Sequence, residues 1–593
     1  MAHASPPSVA VIGAGPGGML FCHALETHRR ELKEKGDEAA LAKLPIVTCF
    51  DSASGPGGLW RFEHLTSPSD NAGKDKPSLE GKDNPSIQTS NMYEALWTNG
   101  PKEAIEFFDY TYDEHFGGHP LPVYLPRQAM FEYVTGRVTK HCPDFFGKYM
   151  KFNTKVESVC FVETKNKFDV VTKDILTGEG ITEEYDKCIW AAGMNGRPMM
   201  PKSLQSMFRE GGFSGRIIHS SDTANFEDDV KGKTILLIGG SFSGEDLALT
   251  AVKAGVEKVY ISSRNDNVVS WTAAWPYNKV EVLERQLPVR VTEDGRCIQF
   301  AATESALSED CVPGEEVQTE VRDVDTIIFC TGYMPNVDML SEDLRQALCR
   351  DENPELSVPK DWTMAPNRFT EVLGDVQPAD DVKVFGCIYP DLYCGCISIK
   401  NPGMMFMAFE FENTLFGIDV SAWLLMRFVA GLKDVPSAGD MLKQERDAAL
   451  HALNNPGYRC LMDSNYIEAV EDNWEKLPER PESKHEWLDE AQAEYEENMD
   501  VRMLARYIQE AEYPVNFGSV DELNETANAY MAFDRMTRDH RSQLTEDDAE
   551  NGRTYRDYSD GGDLVSIFTG SGAVSLKGKW LDIDANDPTI LKP

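Results

Sequence analysis

Across 593 residues, 98 acidic side chains outnumber 58 basic ones and leave a formal charge of −40. A polyanion of that size repels nucleic acid and anionic membrane, and neither is expected as a partner. Its 41% hydrophobic and 10% aromatic content excludes a disordered chain, and the length allows roughly two to four domains.

The 13 cysteines follow no repeated spacing. Cys188 and Cys330 sit in apolar runs where a reduced, buried thiol fits. Cys394 and Cys396 form a C-x-C with no second pair near enough for zinc, so no metal site is expected. The pattern is that of a reducing compartment, which places the chain in the cytoplasm. No basic stretch followed by an apolar run opens the chain. No apolar run approaches the roughly 18 residues of a membrane span, so no membrane association is expected.

The first predicted element is an apolar strand, Ser8 to Ile12, running into Gly13-Ala-Gly15-Pro16-Gly17-Gly18 and a helix. In this G-x-G-x-x-G turn Gly13 permits the tight bend, Gly15 admits a pyrophosphate and Gly18 lets helix pack on strand. The helix N-terminus then offers N–H groups and a positive dipole end to phosphate. Residues 27 to 43 read as a charged, exposed helical extension. Ile46 to Phe50 is the next strand, ending at Asp51, whose carboxylate suits ribose hydroxyls. A glycine turn alone also occurs in other α/β folds; the strand, the helix and the acid together point to a dinucleotide. Residues 63 to 91, rich in Ser, Pro, Asp, Asn and Lys, read as a surface insertion.

A second strand–turn–helix begins at Thr234 to Ile238, with the turn Gly239-Gly-Ser241-Phe242-Ser243-Gly244. The following strand, Lys258 to Ser262, leads to Ser263 and Arg264 where the first unit has Asp51. An acid there would repel the 2′-phosphate of NADP; a hydroxyl and a guanidinium would pair with it. So the first site suits FAD and the second NADPH, although Arg264 alone also fits a solvated surface charge. A third apolar strand, Asp325 to Cys330, precedes Thr331-Gly-Tyr333. From about residue 440 the chain turns helical, acidic and aromatic.

Two dinucleotide sites in one chain imply electron flow from nicotinamide to flavin, as in dithiol reductases and in oxygen-using monooxygenases. A reductase needs a close redox pair of cysteines, and no C-x-x-C occurs. Oxygen chemistry is the expectation.

At this point the chain resembles the flavin-containing monooxygenases. Phe213-Ser-Gly215-Arg-Ile-Ile-His219 matches the motif that precedes the family's NADPH turn, with Thr223 where its closing aromatic would stand. Ala191-Ala-Gly193 and Thr331-Gly-Tyr333 fit the family's linkers. Tyr93-Glu-Ala-Leu-Trp-Thr-Asn99-Gly-Pro-Lys-Glu103, Phe108 to Phe116 and the tail around Thr554 to Asp584 are similar to the bacterial trimethylamine monooxygenases. The resemblance spans nearly the whole chain apart from residues 63–91 and about 391–416.

What the resemblance implies is an α/β fold with two nested Rossmann-like dinucleotide-binding domains and an acidic, mainly helical C-terminal extension. The FAD-binding domain is expected in two parts, 1–205 and 334–435, around an NADPH-binding domain at 206–333, with the extension at 436–593. It implies FAD and NADPH as cofactors, and O2 and a small amine or sulfide as substrates. It further implies a homodimer and a C4a-hydroperoxyflavin that N-oxygenates trimethylamine or a similar amine. Asn99 matches the family's active-site asparagine; it also fits an Asn-Gly turn residue. Gly57-Gly58-Leu-Trp60 matches a segment beside the flavin, and Trp60 equally fits the core. Phe242 stands where trimethylamine-oxidising members carry tyrosine. Pro402 to Phe409 is methionine-rich and reads as core or as a softer pocket wall. Sulfide S-oxygenation, Baeyer–Villiger oxidation and a non-oxygenating flavin sensor remain alternatives.

Overall fold

The computed structural model describes residues 5–61, 92, 96, 98, 105, 107, 110–117, 125, 127–193, 195–223, 225–264, 279–292, 295–303, 313–345, 392–407, 414–444, 577–578 and 581–582. Asn99 and the 63–91 insertion lie outside them. Of the 436–593 extension only residues 436–444 and an antiparallel pair, Lys577–Gly578 with Leu581–Asp582, are described.

The chain opens with β1 (Ser8–Ile12), whose apolar run is buried on both faces, as a central parallel strand requires. Helix α1 (Pro16–Lys35) starts with proline inside its first turn and ends at left-handed Gly36, whose N–H closes on the carbonyls of Leu32 and Lys33. Proline at the start and glycine past the end is the arrangement helix termini favour. The charged extension expected from residue 27 is helical, but Thr27 and Leu32 are buried, so one side of it packs inward. β2 (Ile46–Phe50) follows, then α2 (Arg127–Thr139) and β3 (Met150–Lys151). An antiparallel meander of β4 (Thr154–Val162), β5 (Lys167–Asp174) and β6 (Gly180–Tyr185) leads into β7 (Lys187–Trp190).

After β8 (Arg197–Pro198) comes β9 (Arg216–His219), then β10 (Thr234–Ile238), α3 (Phe242–Lys253), β11 (Lys258–Ser262) and β12 (Val280–Leu283). A second meander, β13 (Gln286–Val291), β14 (Ile298–Thr303) and β15 (Pro313–Val321), precedes β16 (Thr326–Phe329). The chain then returns through β17 (Tyr333–Met334), β18 (Leu392–Tyr393), β19 (Ile397–Ser398) and β20 (Met404–Phe406) to α4 (Thr414–Val429).

Two sheets organise these strands. One is seven-stranded in the order β18-β19-β20-β7-β1-β2-β3; the other is five-stranded in the order β12-β11-β10-β16-β9. All pairings of the five-stranded sheet are parallel, as are those from β20 to β3 in the larger one. Each unit places a three-stranded antiparallel meander before the strand that flanks its first strand. The likeness of the two glycine turns therefore extends to the topology around them. The linkers between the sheets also pair: Tyr333 lies opposite Pro198 and Met334 opposite Arg197.

Met404, Met405, Phe406 and Met407 are buried in and beside β20, which runs parallel to β7. This part of the methionine-rich segment is core, where Met fills irregular space between sheet and helix. α4 packs along α1 and closes that face.

Candidate active site

Register brings the ends of three strands to one edge. Ile12 lies opposite Phe50 on one side and Trp190 on the other, so Gly13, Asp51 and Ala191 leave the sheet together. Open α/β sheets bind ligands at that carboxyl edge. Gly13 sits at φ +107, and a Cβ there would lie 2.6 Å from the Ala191 carbonyl oxygen. A Cβ on Gly18 would fall 2.0 Å from the Gly13 oxygen. These contacts are what glycine permits, and they hold α1 with its first turn aimed off the edge of the sheet. Gly15 is the extended cap residue of α1, with no side-chain hydrogen bond capping the helix. Pro16 brings no N–H of its own, and Gly17 packs towards Met407.

Asp51 folds back over this turn. Its Oδ2 accepts from the Ala14 N–H at 2.6 Å and its Oδ1 from the Ala53 N–H at 2.7 Å. Burial raises its pKa, against the lowering effect of those two N–H groups and of nearby Arg61. Each carboxylate oxygen keeps further acceptor capacity, so locking the turn is compatible with accepting from ribose hydroxyls. The Gly57 N–H donates to the Ala14 oxygen at 2.9 Å. A Cβ on Gly58 would stand 2.8 Å from the Gly15 Cα. Gly58 and Trp60 thus lie in a short 3-10 turn against the same glycine run, with Trp60 partly buried against the core.

The second unit repeats this construction. Ile238 pairs with Ser262 and Phe329. Gly239 has φ +110, and its Cβ would meet the Cys330 oxygen at 2.4 Å; a Cβ on Gly244 would meet the Gly239 oxygen at 2.2 Å. Ser241 is the exposed, extended cap of α3, again without a side-chain cap, and Phe242 and Ser243 begin the helix. A Cβ on Gly240 would lie 3.1 Å from the Ser263 side chain. Ser263 is buried and Arg264, next to it, is exposed. The structure brings together Gly13, Gly15, Pro16, Gly17, Gly18, Asp51, Gly58 and Trp60 at one edge. It gathers Gly239, Ser241, Phe242, Ser243, Gly244, Ser263 and Arg264 at the other.

The motif residues around His219 join this second edge to the linkers. A Cβ on Gly215 would lie 2.4 Å from the Asp325 oxygen and 2.6 Å from the Phe213 ring, so only glycine lets that ring close over the strand. His219 Nε2 lies 3.0 Å from the Gly332 oxygen, and its Nδ1 is 3.1 Å from the Ser221 N–H. The neutral imidazole that donates from Nε2 and accepts at Nδ1 satisfies both. Burial pulls its pKa from 6.5 to about 4. Tyr333 meets it edge-on with ring centroids 5.0 Å apart.

Of three further residues near the first edge, Gly57 and Thr98 lie inside stretches already singled out in the sequence, and Arg127 carries no signal there. Gly57 has φ +108, and a Cβ on it would strike the Phe131 ring of α2 at 2.8 Å. Thr98 and Arg127 are buried and hydrogen-bonded to one another's segments. A lone arginine belongs to no motif; only its partners distinguish Arg127.

Two nested parallel units, each with a glycine turn and an uncapped helix N-terminus at its carboxyl edge, define a protein that binds two dinucleotides. The flavin-binding monooxygenase-like family model matches residues 9–289. Over this stretch, just under half of its length, the chain is similar to that family. It is 26% identical over 577 residues to a trimethylamine monooxygenase of Methylocella silvestris, covering 97% of this chain and 95% of that one. It is 32% identical over 339 residues to a trimethylamine monooxygenase of Pelagibacter sp. HTCC7211, covering 57% of this chain and 63% of that one. The crystal structure of Tmm from Pelagibacter sp. strain HTCC7211 shares the fold, with a TM-score of 0.58 at 24% identity over 84% of this chain and 92% of that one. This chain is thus a flavin-dependent monooxygenase whose cofactors are FAD and NADPH. The residues present fit them: at both edges the contacts a Cβ would break keep the turn open, and both helix N-termini lack a side-chain cap.

Proposed function

We propose that the chain uses NADPH and O2 to N-oxygenate trimethylamine or a similar small amine. The observation that carries the substrate is the likeness to a trimethylamine monooxygenase over almost the full length of both chains. Four further relatives at 27–32% identity bear the same description.

When bound and reduced by NADPH, FAD supplies the chemistry that activates dioxygen. The chain's own residues bind and orient. Gly13, Gly15, Pro16, Gly17 and Gly18 hold the FAD pyrophosphate on the N-terminus of α1, and Asp51 accepts from its ribose. Gly58 and Trp60 flank it. Gly239, Ser241, Phe242, Ser243 and Gly244 hold NADPH on α3, with Ser263 and Arg264 at its 2′-phosphate. Asn99 supplies an amide donor at the reacting centre. An amine is reactive only with its lone pair free, so the pocket must exclude water and admit the neutral base. On this reading residues 1–205 and 334–435 form the FAD-binding part, 206–333 the NADPH-binding part and 436–593 a helical extension. The likeness also favours a homodimer. The free thiols among the described cysteines favour a cytoplasmic setting.

Purified protein given NADPH, O2 and, separately, trimethylamine, dimethyl sulfide or cyclohexanone tests this. Trimethylamine N-oxide formed in step with NADPH consumed is the expected result. Preferential formation of dimethyl sulfoxide or a lactone would reassign the substrate. A flavin that NADPH reduces without oxygenating any of the three would replace the enzyme by a sensor.

A further inference from the structure

Arg127 opens α2, and it holds two segments that are far apart in sequence. Its Nη2 donates to the Arg61 carbonyl oxygen at 2.6 Å, at the end of the turn that packs on Gly15. Its Nη1 donates to the Met92 oxygen at 2.9 Å, and its backbone N–H to the Leu96 oxygen at 3.0 Å. Two residues earlier, Leu125 completes the clasp. The Thr98 N–H donates to the Leu125 oxygen at 2.9 Å, and the Leu125 N–H donates to Thr98 Oγ1 at 3.0 Å. Arg127 and Thr98 are 7% and 3% exposed and Leu125 is fully buried, so water is a poor substitute for any of these bonds. One turn further along α2, the Phe131 ring lies where a Cβ on Gly57 would be. A planar fork can serve two carbonyls at fixed angles; an ammonium on a flexible stem cannot.

Contacts run from the first glycine turn to Thr98: Gly58 packs on Gly15, the Arg61 carbonyl accepts from Arg127, and Arg127 and Leu125 bond to Met92, Leu96 and Thr98. Asn99 is the next residue after Thr98 in the chain. We infer that Arg127 and Thr98 are positioning residues, which fix the segment leading into Asn99 relative to the turn that carries the flavin. Neither touches a reacting atom. This rests on the reading of Asn99 as the active-site amide. Displacing a reacting group by about 1 Å can lower a rate on the order of a hundredfold, so a loose segment should lower productive oxygenation before it lowers flavin binding.

The test uses the full chain with FAD bound and the variants Arg127→Lys, Thr98→Val and Thr98→Ser, with Asn99→Ala alongside. Three quantities are read: FAD content, amine oxygenated per NADPH consumed, and amide hydrogen exchange of the peptide spanning residues 92–98. Arg127→Lys and Thr98→Val should keep FAD, exchange that peptide about tenfold faster as local opening becomes easier, and divert most reducing equivalents to hydrogen peroxide. Thr98→Ser, which keeps the acceptor oxygen, should restore both exchange and coupling. Unchanged exchange in both variants, or faster exchange with coupling intact, overturns the inference. If Asn99→Ala uncouples and the two clasp variants do not, only the positioning role falls. If Asn99→Ala is fully coupled, the reading of Asn99 falls and takes the clasp with it. Should Arg127→Lys not fold, Thr98→Val against Thr98→Ser decides alone.

Discussion

Arg137 and Asp419 stand 282 residues apart and meet as a bidentate pair, Nη1 to Oδ1 at 2.8 Å and Nη2 to Oδ2 at 2.9 Å. Each side chain is 2% exposed. The pair ties α2 to α4, which the second dinucleotide unit separates in sequence, and the guanidinium also covers the Phe107 ring at 4.1 Å. Removing one partner leaves an unpaired buried charge, which costs roughly 3–5 kcal/mol. Asp419→Ala should therefore lower unfolding free energy by about that amount in urea titrations. Replacing both residues by apolar ones of similar size should lose much less. A single and a double variant of equal stability would show that the charge pair is not what holds the helices.

The two glycine turns are alike in geometry and separable by experiment. A Cβ on Gly18 would fall 2.0 Å from a backbone oxygen, and one on Gly244 2.2 Å from its counterpart. Backbone cannot swing aside as a side chain can, so each turn must deform. Gly18→Ala should yield a protein that does not retain FAD and is colourless after purification. Gly244→Ala should stay yellow and lose reduction by NADPH, with reduction by dithionite intact. The reverse pattern of loss would exchange the two cofactor assignments.

Much of this architecture is legible in the residues. β1 and β10 carry unbroken apolar runs bounded by glycine, and their helices follow at once, so strand, turn and helix are fixed by local chemistry. Asp51 and Arg264 are legible for the same reason: each stands at the end of a strand, one step from a glycine turn. What stays hidden depends on contacts distant in sequence. The meanders β4–β6 and β13–β15 alternate weakly and are defined by pairing with one another. The clasp of Arg127 needs the carbonyls of Arg61 and Met92, 66 and 35 residues away, and no local pattern encodes a carbonyl's direction. Met404 to Met407 show the same limit. Composition allowed core or pocket wall, and parallel pairing of β20 with β7 makes them core.

His219 makes the fold sensitive to acid in a defined direction. Its pKa is about 4 in the folded chain against 6.5 for the free side chain. Between those values the unfolded chain holds a proton that the folded chain does not, so stability is fully present above 6.5 and falls as pH drops towards 4. A proton on Nδ1 would also deprive the Ser221 N–H of its acceptor and weaken the join between β9 and the Gly332 linker. His219→Gln removes the titration. Its urea midpoint should be lower than that of the parent at pH 7, and the difference should shrink as pH is lowered from 6.5 to 4.5. A gap that stays constant across that window would mean His219 is not the titrating group.

Arg264 offers the sharpest test of the choice between nucleotides. It is exposed just past β11, beside buried Ser263, whose N–H donates to the Leu283 oxygen at 3.1 Å. That bond fixes the strand end against β12, and Arg264 is the next residue. A charge-assisted pairing with a 2′-phosphate is worth about 1.5–3 kcal/mol when shielded; at an exposed position, screening reduces it to roughly the lower figure, or about tenfold in affinity. NADH lacks that phosphate and has no such interaction to lose. Arg264→Ala should therefore raise the NADPH concentration for half-maximal flavin reduction about tenfold and leave that for NADH nearly unchanged. Salt should weaken NADPH binding to the parent more than to the variant. Equal losses for both nucleotides would assign Arg264 to the shape of the strand end and leave the 2′-phosphate to another residue.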